Sequence, residues 1–194
     1  MDLKTYVKTF PVTCSLITLI VIVFLMMTLA GGSTNEGVLL RFGANYAPLI
    51  QKGEYWRLVT CNFLHIGFMH LALNSVALIA LGGMAETLFR RFKYSVLILL
   101  SGFFAALTSY MFHPNSISAG ASGAVFGIVG AILITALRNQ RFRASGLTSS
   151  LVFLVVINLI FGFMTDYVDN AAHIGGLVAG LAIGGFYRVI GRFD

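Results

Sequence analysis

Ala119-Gly120-Ala121-Ser122-Gly123-Ala124 opens an apolar run that reaches Leu137, and Asn170-Ala171-Ala172-His173-Ile174-Gly175-Gly176 opens another some fifty residues later. Each places one chemically capable side chain, Ser122 or His173, at the start of a long hydrophobic segment. In water neither pattern would be unusual. Within a bilayer a histidine is costly, and an ionisable group there is a functional hypothesis by default. The pairing of these two stretches therefore decides both the fold class and the chemistry to test.

The surrounding composition says that a bilayer is the right solvent to assume. The chain has 194 residues, 58% of them hydrophobic and only 10% charged, with a mean hydropathy of +0.89. A soluble domain carries about 25% charged residues. Six apolar segments are expected, over 12–30, 63–85, 94–112, 122–137, 147–164 and 171–190. Most approach the roughly twenty residues an apolar helix needs to cross. The expected fold is an all-α polytopic membrane protein, a six-transmembrane-helix bundle forming a single membrane domain over 1–194. The first segment follows Lys4 and Lys8 like a signal peptide, but its apolar run exceeds the 7–15 residues of a cleaved core, so it reads as a retained span.

Lysine and arginine positions orient the bundle. With a cytoplasmic N-terminus, that side receives Lys4, Lys8, Arg90, Arg91, Lys93, Arg138, Arg141, Arg143, Arg188 and Arg192; the outer side receives Arg41, Lys52 and Arg57. Ten against three satisfies the positive-inside rule and puts both termini in the cytoplasm. The acids Glu36, Glu54, Asp166 and Asp169 fall outside. The net charge of +6 is thus spent on topology, and no nucleic-acid partner is expected. The outer connection from Gly31 to Asn62 holds Tyr46, Tyr55 and Trp56 beside Lys52 and Arg57, a composition suited to resting at the headgroup level. Cys14 and Cys61 fall at opposite ends of the first segment, too far apart for a disulfide.

Depth then gathers the polar residues. The 16 residues from Ser122 to Leu137 span about 24 Å as a helix, short of a hydrocarbon core about 30 Å thick. If Arg138 marks the inner surface, Ser122 lies below the outer one, and 112–118 must dip inward as non-helical backbone. Such backbone survives only where protein or a wet cavity covers it. His70 and Asn74, four apart, share a helix face at a similar level, and His173 joins them from the last segment. Gly123 and Gly127, with Gly176, Gly180 and Gly184, have the four-residue spacing that lets membrane helices touch backbone to backbone. A serine–histidine hydrogen bond of about 2.6–3.2 Å needs that closeness.

Gly120-Ala121-Ser122-Gly123, Ala172-His173-Ile174-Gly175-Gly176 with Gly180, the His70-x-x-x-Asn74 pair and Trp56-Arg57 together resemble the rhomboid family of intramembrane serine proteases, in order and spacing from about Trp56 to Gly184. The resemblance implies a serine endopeptidase that cleaves single-span or polytopic membrane proteins in or near their spans through a Ser122–His173 dyad, without a cofactor. It implies an oxyanion hole from His70, Asn74 and the Ser122 N–H. His65 matches a position bracing the outer loop, and Glu86 falls in the family's Gly-x-x-x-Glu, read as structural and pairing with Arg90 or Arg91. Substrate access past the fifth segment, with Phe153, Phe161 and Phe163, is also implied. Where the family often has a tyrosine that stacks on the histidine, this chain has Phe126, which keeps the ring and loses the hydroxyl. A multi-pass protein of a bacterial plasma membrane is expected, its oligomeric state left open.

The plainer readings are a helix-capping serine, a packed histidine, a polar bridge between helices for His70 and Asn74, and interfacial anchoring for Trp56 and Arg57. The alternative function is a non-catalytic rhomboid-like binder of membrane proteins, although such relatives usually lack the serine or the histidine. A metal hydrolase using His65, His70, His113 and His173 lacks any His-Glu-x-x-His or carboxylate at ligand spacing. No metal is expected.

Overall fold

The computed structural model describes residues 2–165 and 168–187. The sixth segment's expected end at Ile190, and Asp166, Arg188 and Arg192 from the orientation count, lie outside the described residues.

Helices α1 (Leu3–Thr9) and α2 (Pro11–Leu29) lead into a connection carrying α3 (Glu36–Phe42), α4 (Ala47–Ile50) and α5 (Arg57–Thr60). Then come α6 (Gly67–Ala77), a π-helical stretch at Leu78–Gly82, and α7 (Gly83–Phe112). The chain finishes with α8 (Ser122–Arg138), α9 (Gln140–Ala144), α10 (Leu147–Phe163) and α11 (Asn170–Phe186). Among the described residues there is no sheet; one isolated bridge joins Asn45 to Ser118.

Large apolar side chains cover much of the outer surface of this bundle. In α2 only Thr13, Ile20 and Met27 are buried, leaving Ile22, Leu25 and Met26 exposed; Phe153, Phe161 and Phe163 do the same on α10. A helix hydrophobic all round, yet not enclosed by protein, belongs in lipid. The molecule is an all-α, multi-pass integral membrane protein.

Among the described residues two continuous helical runs, not six, are long and apolar enough by themselves to cross a membrane: Pro11–Leu29 and Gly67–Phe112. The expected second and third segments form one 46-residue run. Its only non-helical interruption is Arg90, at φ 62° and ψ 161°, a region that side chains other than glycine's occupy only under strain. The remaining three helices, α8, α10 and α11, have 17 residues each, about 26 Å of rise.

At the centre stands α8, every residue of it buried except Ser122, Leu133, Ile134, Leu137 and Arg138. It packs between α7 and α11. A Cβ added at Gly176 would land on the Gly123 carbonyl oxygen, and one at Gly180 on that of Gly127. The α8–α11 seam is therefore closed to the limit of backbone contact, as small residues at four-residue spacing permit.

Glu86 holds the periphery to this core, but not through an arginine. Its buried carboxylate accepts the Val12 and Thr13 N–H groups at 3.0 Å each and the Thr13 hydroxyl at 2.9 Å. It thereby supplies the N-terminal cap that α2 lacks from its own sequence, satisfying donors a helix start leaves free. The expected pairing with Arg90 or Arg91 is absent among the described residues; Arg91 instead donates to the Lys8 carbonyl. A carboxylate one helical turn inside the bundle meets donors that were already desolvated and unpaired, whereas the arginines at the surface keep their water.

The connection from 31 to 62 is folded. Met27, Val38, Leu39, Ala44 and Leu64 form a small core beneath it, and Ile50, Leu58 and Cys61 form another with Ala106 of α7. Cys14 and Cys61 are both free thiols.

Candidate active site

Ser122 is the first residue of α8, at the point where the connection from α7 turns into helix. Three bonds fix that connection. Asn45 and Ser118 exchange backbone hydrogen bonds at 2.8 and 2.9 Å, and the Gly120 N–H donates to the Cys61 carbonyl at 3.0 Å. Gly120 has φ 141°, which favours glycine, and a Cβ there would sit 2.6 Å from His70 Cε1. The chain can therefore bring the His70 ring against the backbone that introduces Ser122 only because residue 120 has no side chain. The first intrahelical bond of α8 runs from the Val125 N–H to the Ala121 carbonyl, so the N–H groups of its first turn face outward toward this loop.

His173 sits in the first turn of α11 and is 8% exposed. Its ring stacks on Phe126, with centroids 4.2 Å apart and planes 10° from parallel. Phe126 is four residues past Ser122, on the same face of α8. The histidine ring thus lies over the face that begins with the serine, one turn away, across the tightest helix seam in the molecule. The packing expected of a phenylalanine at this position is present. The Nδ1 atom of His173 is buried and has no hydrogen-bond partner among the described residues.

His70 and Asn74 lie on one face of α6. The His70 Nδ1 accepts the Ile66 N–H at 3.4 Å, which in a neutral ring leaves the proton on Nε2, the nitrogen facing Gly120. The Asn74 Nδ2 donates to the His70 carbonyl at 2.9 Å, using one of its two N–H groups. His65 is fully buried, edge-on to His70 with ring centroids 5.1 Å apart. Neither of its ring nitrogens has a hydrogen-bond partner among the described residues.

Arg57 ties the outer connection together. Buried to 4% exposure, it pairs with Glu54 at 2.5 Å, donates to the Leu40 and Ala44 carbonyls at 2.7 and 3.1 Å, and lies 4.6 Å from the Trp56 ring centroid. Trp56 itself is half exposed. These two residues organise the connection between α2 and α6.

Neither acidic nor amide neighbour of His173 completes a triad. Asp169 turns its carboxylate to the Ser109 hydroxyl at 2.5 Å, His113 Nδ1 at 3.0 Å and the Ala172 N–H at 3.0 Å. Burial pushes the Asp169 carboxyl up, but hydrogen bonds from Ser109 and Ala172 and the nearby His113 outweigh it, and the group titrates below the ordinary carboxylate range. Asn170 donates to the Leu159 carbonyl of α10 at 3.0 Å. The Asp169 cluster is the feature sequence reading missed; its readable signal was an Asp three residues before an N–H of a helix start, the N-cap pattern. Among the described residues no group of three or more His, Cys, Asp or Glu could hold a metal ion.

Residues 52–189 match the family model described as the rhomboid domain. The chain is 40% identical over 164 residues to the Rhomboid protease GluP of Bacillus subtilis (strain 168), covering 84% of this chain and 32% of that protein. It is 38% identical over 153 residues to RHOMBOID-like protein 6, mitochondrial, of Arabidopsis thaliana (77% of this chain, 50% of that one). With Rhomboid-like protease 1 of Toxoplasma gondii the identity is 36% over 156 residues, 78% of this chain and 53% of the other. The chain thus spans between about a third and a half of the length of these relatives. A domain match over most of the chain, together with three relatives above a third identical, fits the helical order and the α8–α11 seam already described: the chain belongs to the rhomboid family.

Proposed function

We propose that this protein is an intramembrane serine endopeptidase that cleaves membrane proteins in or near their spans, with Ser122 as nucleophile and His173 as general base. The observation that carries this reading is the His173 ring stacked on Phe126, one helical turn from Ser122, at the outer end of the α8–α11 seam. Two of the similar proteins are named as rhomboid proteases, which supports the same activity.

Ser122 Oγ attacks the scissile carbonyl carbon while His173 takes its proton. The resulting oxyanion is met by donors from His70, Asn74 and the Ser122 N–H. Each such donor is worth about 3–4 kcal/mol when removed from a water-poor site. The imidazolium then returns its proton to the departing amine, the peptide C–N bond breaks, and an acyl-enzyme remains. Water, deprotonated by His173, attacks the ester and releases the carboxylate and free serine. With Nδ1 of His173 unpartnered, the base works as a dyad, its orientation supplied by the Phe126 stack.

The same reading takes 1–194 as a single six-span domain in a bacterial plasma membrane, the run Gly67–Phe112 counting as two spans folded at Arg90. Both termini are cytoplasmic. In support, Arg91 reaches Lys8 and Lys93 lies over Tyr187, gathering basic residues at the end opposite Arg41, Lys52 and Arg57. Single-span or polytopic proteins are the substrates, reaching the site past α10. Helix-breaking residues in them favour cleavage by loosening backbone bonds.

Co-expression with a panel of tagged single-span proteins tests the proposal. Wild type is expected to cleave at least one of them, Ser122→Ala and His173→Ala none, with all three equally expressed. A fluorophosphonate probe should label Ser122. Undiminished cleavage by Ser122→Ala would end this reading.

A further inference from the structure

Both reacting side chains lie at the end of the seam that holds their helices together. The backbone contact between α8 and α11 brings Gly176 and the Ala172 carbonyl against Gly123; Ser122 is the residue before that contact and His173 lies in the first turn of α11, whose leading N–H groups need partners from outside the helix. The seam does not by itself join the first turn of α11 to the connection that leads into Ser122. No carboxylate orients His173 directly, because its Nδ1 is buried without a partner. The stack on Phe126 fixes the plane of the ring, but a stacked ring can still slide.

One side chain bridges the gap. The Asp169 carboxylate accepts the Ala172 N–H, capping the turn that carries His173, and the Asp169 carbonyl accepts the His173 N–H itself at 3.1 Å. The same carboxylate accepts the Ser109 hydroxyl and meets His113 Nδ1. Those two residues lie at the outer end of α7 and at the first residue of the connection that leads into Ser122. Ser118, further along that connection, is held by its backbone bridge to Asn45. The carboxylate side chain is 18% exposed, shielded enough that these bonds are not traded freely for water.

We propose that Asp169 is a positioning residue for the dyad: it clasps the first turn of α11 to the end of α7 and to the Ser122 connection, and so sets where the His173 ring stands over Ser122. This rests on the protease reading above. Misplacing a base by about 1 Å costs on the order of a hundredfold in rate, so the clasp acts on the chemical step and leaves substrate binding alone. Asparagine caps a helix about as well as aspartate: its Oδ1 can accept the Ala172 N–H while its Nδ2 donates to the Ser109 hydroxyl oxygen, which accepts as well as donates.

The test uses the full chain in liposomes with a cleavable single-span reporter. Fluorophosphonate labelling run to completion counts competent enzyme, so kcat is expressed per labelled serine. Asp169→Ala is expected to lower that kcat about tenfold or more, with KM within about twofold of wild type and the labelling rate slowed in parallel. Asp169→Asn should recover most of the loss. Unchanged kcat per labelled serine in Asp169→Ala, a loss appearing in KM alone, or an Asn variant as damaged as the Ala variant would each overturn the proposal. If Asp169→Ala does not fold, Ser109→Ala removes one strap while leaving the cap; a kcat reduced several-fold per labelled serine supports the clasp and an unchanged one overturns it. Ser122→Ala in the same liposomes keeps the two readings apart: a dead Ser122→Ala beside an unimpaired Asp169→Ala sinks the clasp alone, whereas an active Ser122→Ala sinks the protease.

Discussion

Helices α8 and α10 have the same length, 17 residues, and both are strongly apolar, yet the bundle treats them oppositely. Nearly all of α8 is buried, while α10 buries only Leu151, Val155 and Gly162. The difference lies in residue size. α8 carries Gly123, Gly127 and Gly130 on the side that meets α11 and α7, so neighbours close on its backbone. α10 carries large side chains all round and one glycine, Gly162, which makes room for Asn170. In lipid, where tails are as apolar as leucine, hydrophobicity does not draw helices together and close packing does. A helix rich in glycine becomes the anchor, and one rich in phenylalanine stays at the rim. On the proposed protease reading, a chemical centre that must stay put belongs at the end of the first kind, and the side past which substrates would approach belongs to the second.

The largest effect should come from spoiling the seam itself. Gly180→Val places a branched side chain against the Gly127 carbonyl, where only backbone can give way. Overpacking costs typically 1–3 kcal/mol where side chains can adjust; here a loss above about 3 kcal/mol is expected, read as failure to recover monodisperse protein or a collapsed melting temperature. A variant that folds normally would break the claim that backbone contact defines the anchor. Next in size is Glu86→Ala. Like α10, α2 is a rim helix, but one fastened by three hydrogen bonds from a single carboxylate. Leaving the Val12 and Thr13 donors unpaired should cost about 1–3 kcal/mol, measured by thermal or denaturant unfolding in detergent. An unaltered melt would mean that rim helices need no fastening.

How much of this was legible in the sequence follows the same division. The boundaries of α8 and α10 stand within a residue of the apolar runs that announce them, because long hydrophobic stretches with polar ends leave little freedom. The glycine spacing foretold the seam, and the Phe126 stack followed from the family resemblance. The partners of Glu86, and Ser109 and His113 as partners of Asp169, lay beyond reach: these bonds join residues more than fifty positions apart, and no local pattern encodes a distant donor. The break in the helix at Arg90 was hidden for a different reason, since neither glycine nor proline marks a residue held at φ 62°. The short helices α3–α5 carry too few turns for any periodicity to show.

A smaller effect should separate α10 from α2. Among the described residues, α11 reaches α10 by the side-chain hydrogen bond from Asn170 to the Leu159 carbonyl. Hydrogen bonds between membrane helices average about 0.6 kcal/mol and rarely exceed about 1.7. Asn170→Ala should therefore leave the melting temperature within a few degrees while raising hydrogen exchange in the outer half of α10, and there alone. Protection lost evenly across α8 and α11 would show that Asn170 supports the anchor instead of the rim.

The smallest stability effect belongs to the outward face of α10, and it tests the comparison from its other side. Phe153, Phe161 and Phe163 are 68%, 59% and 75% exposed, so truncating any of them removes surface that faces lipid in the folded protein. Lipid contacts are exchanged for other lipid contacts, and no cavity forms. Each Phe→Ala change should shift stability by no more than about 0.5 kcal/mol, as surface substitutions generally do, against the several kcal/mol expected for a buried phenylalanine. Phe126→Ala supplies the internal contrast, since its ring is buried against His173. Equal losses at Phe126 and Phe161 would mean that α10 is packed as firmly as α8, and the distinction between anchor and rim would have no energetic basis.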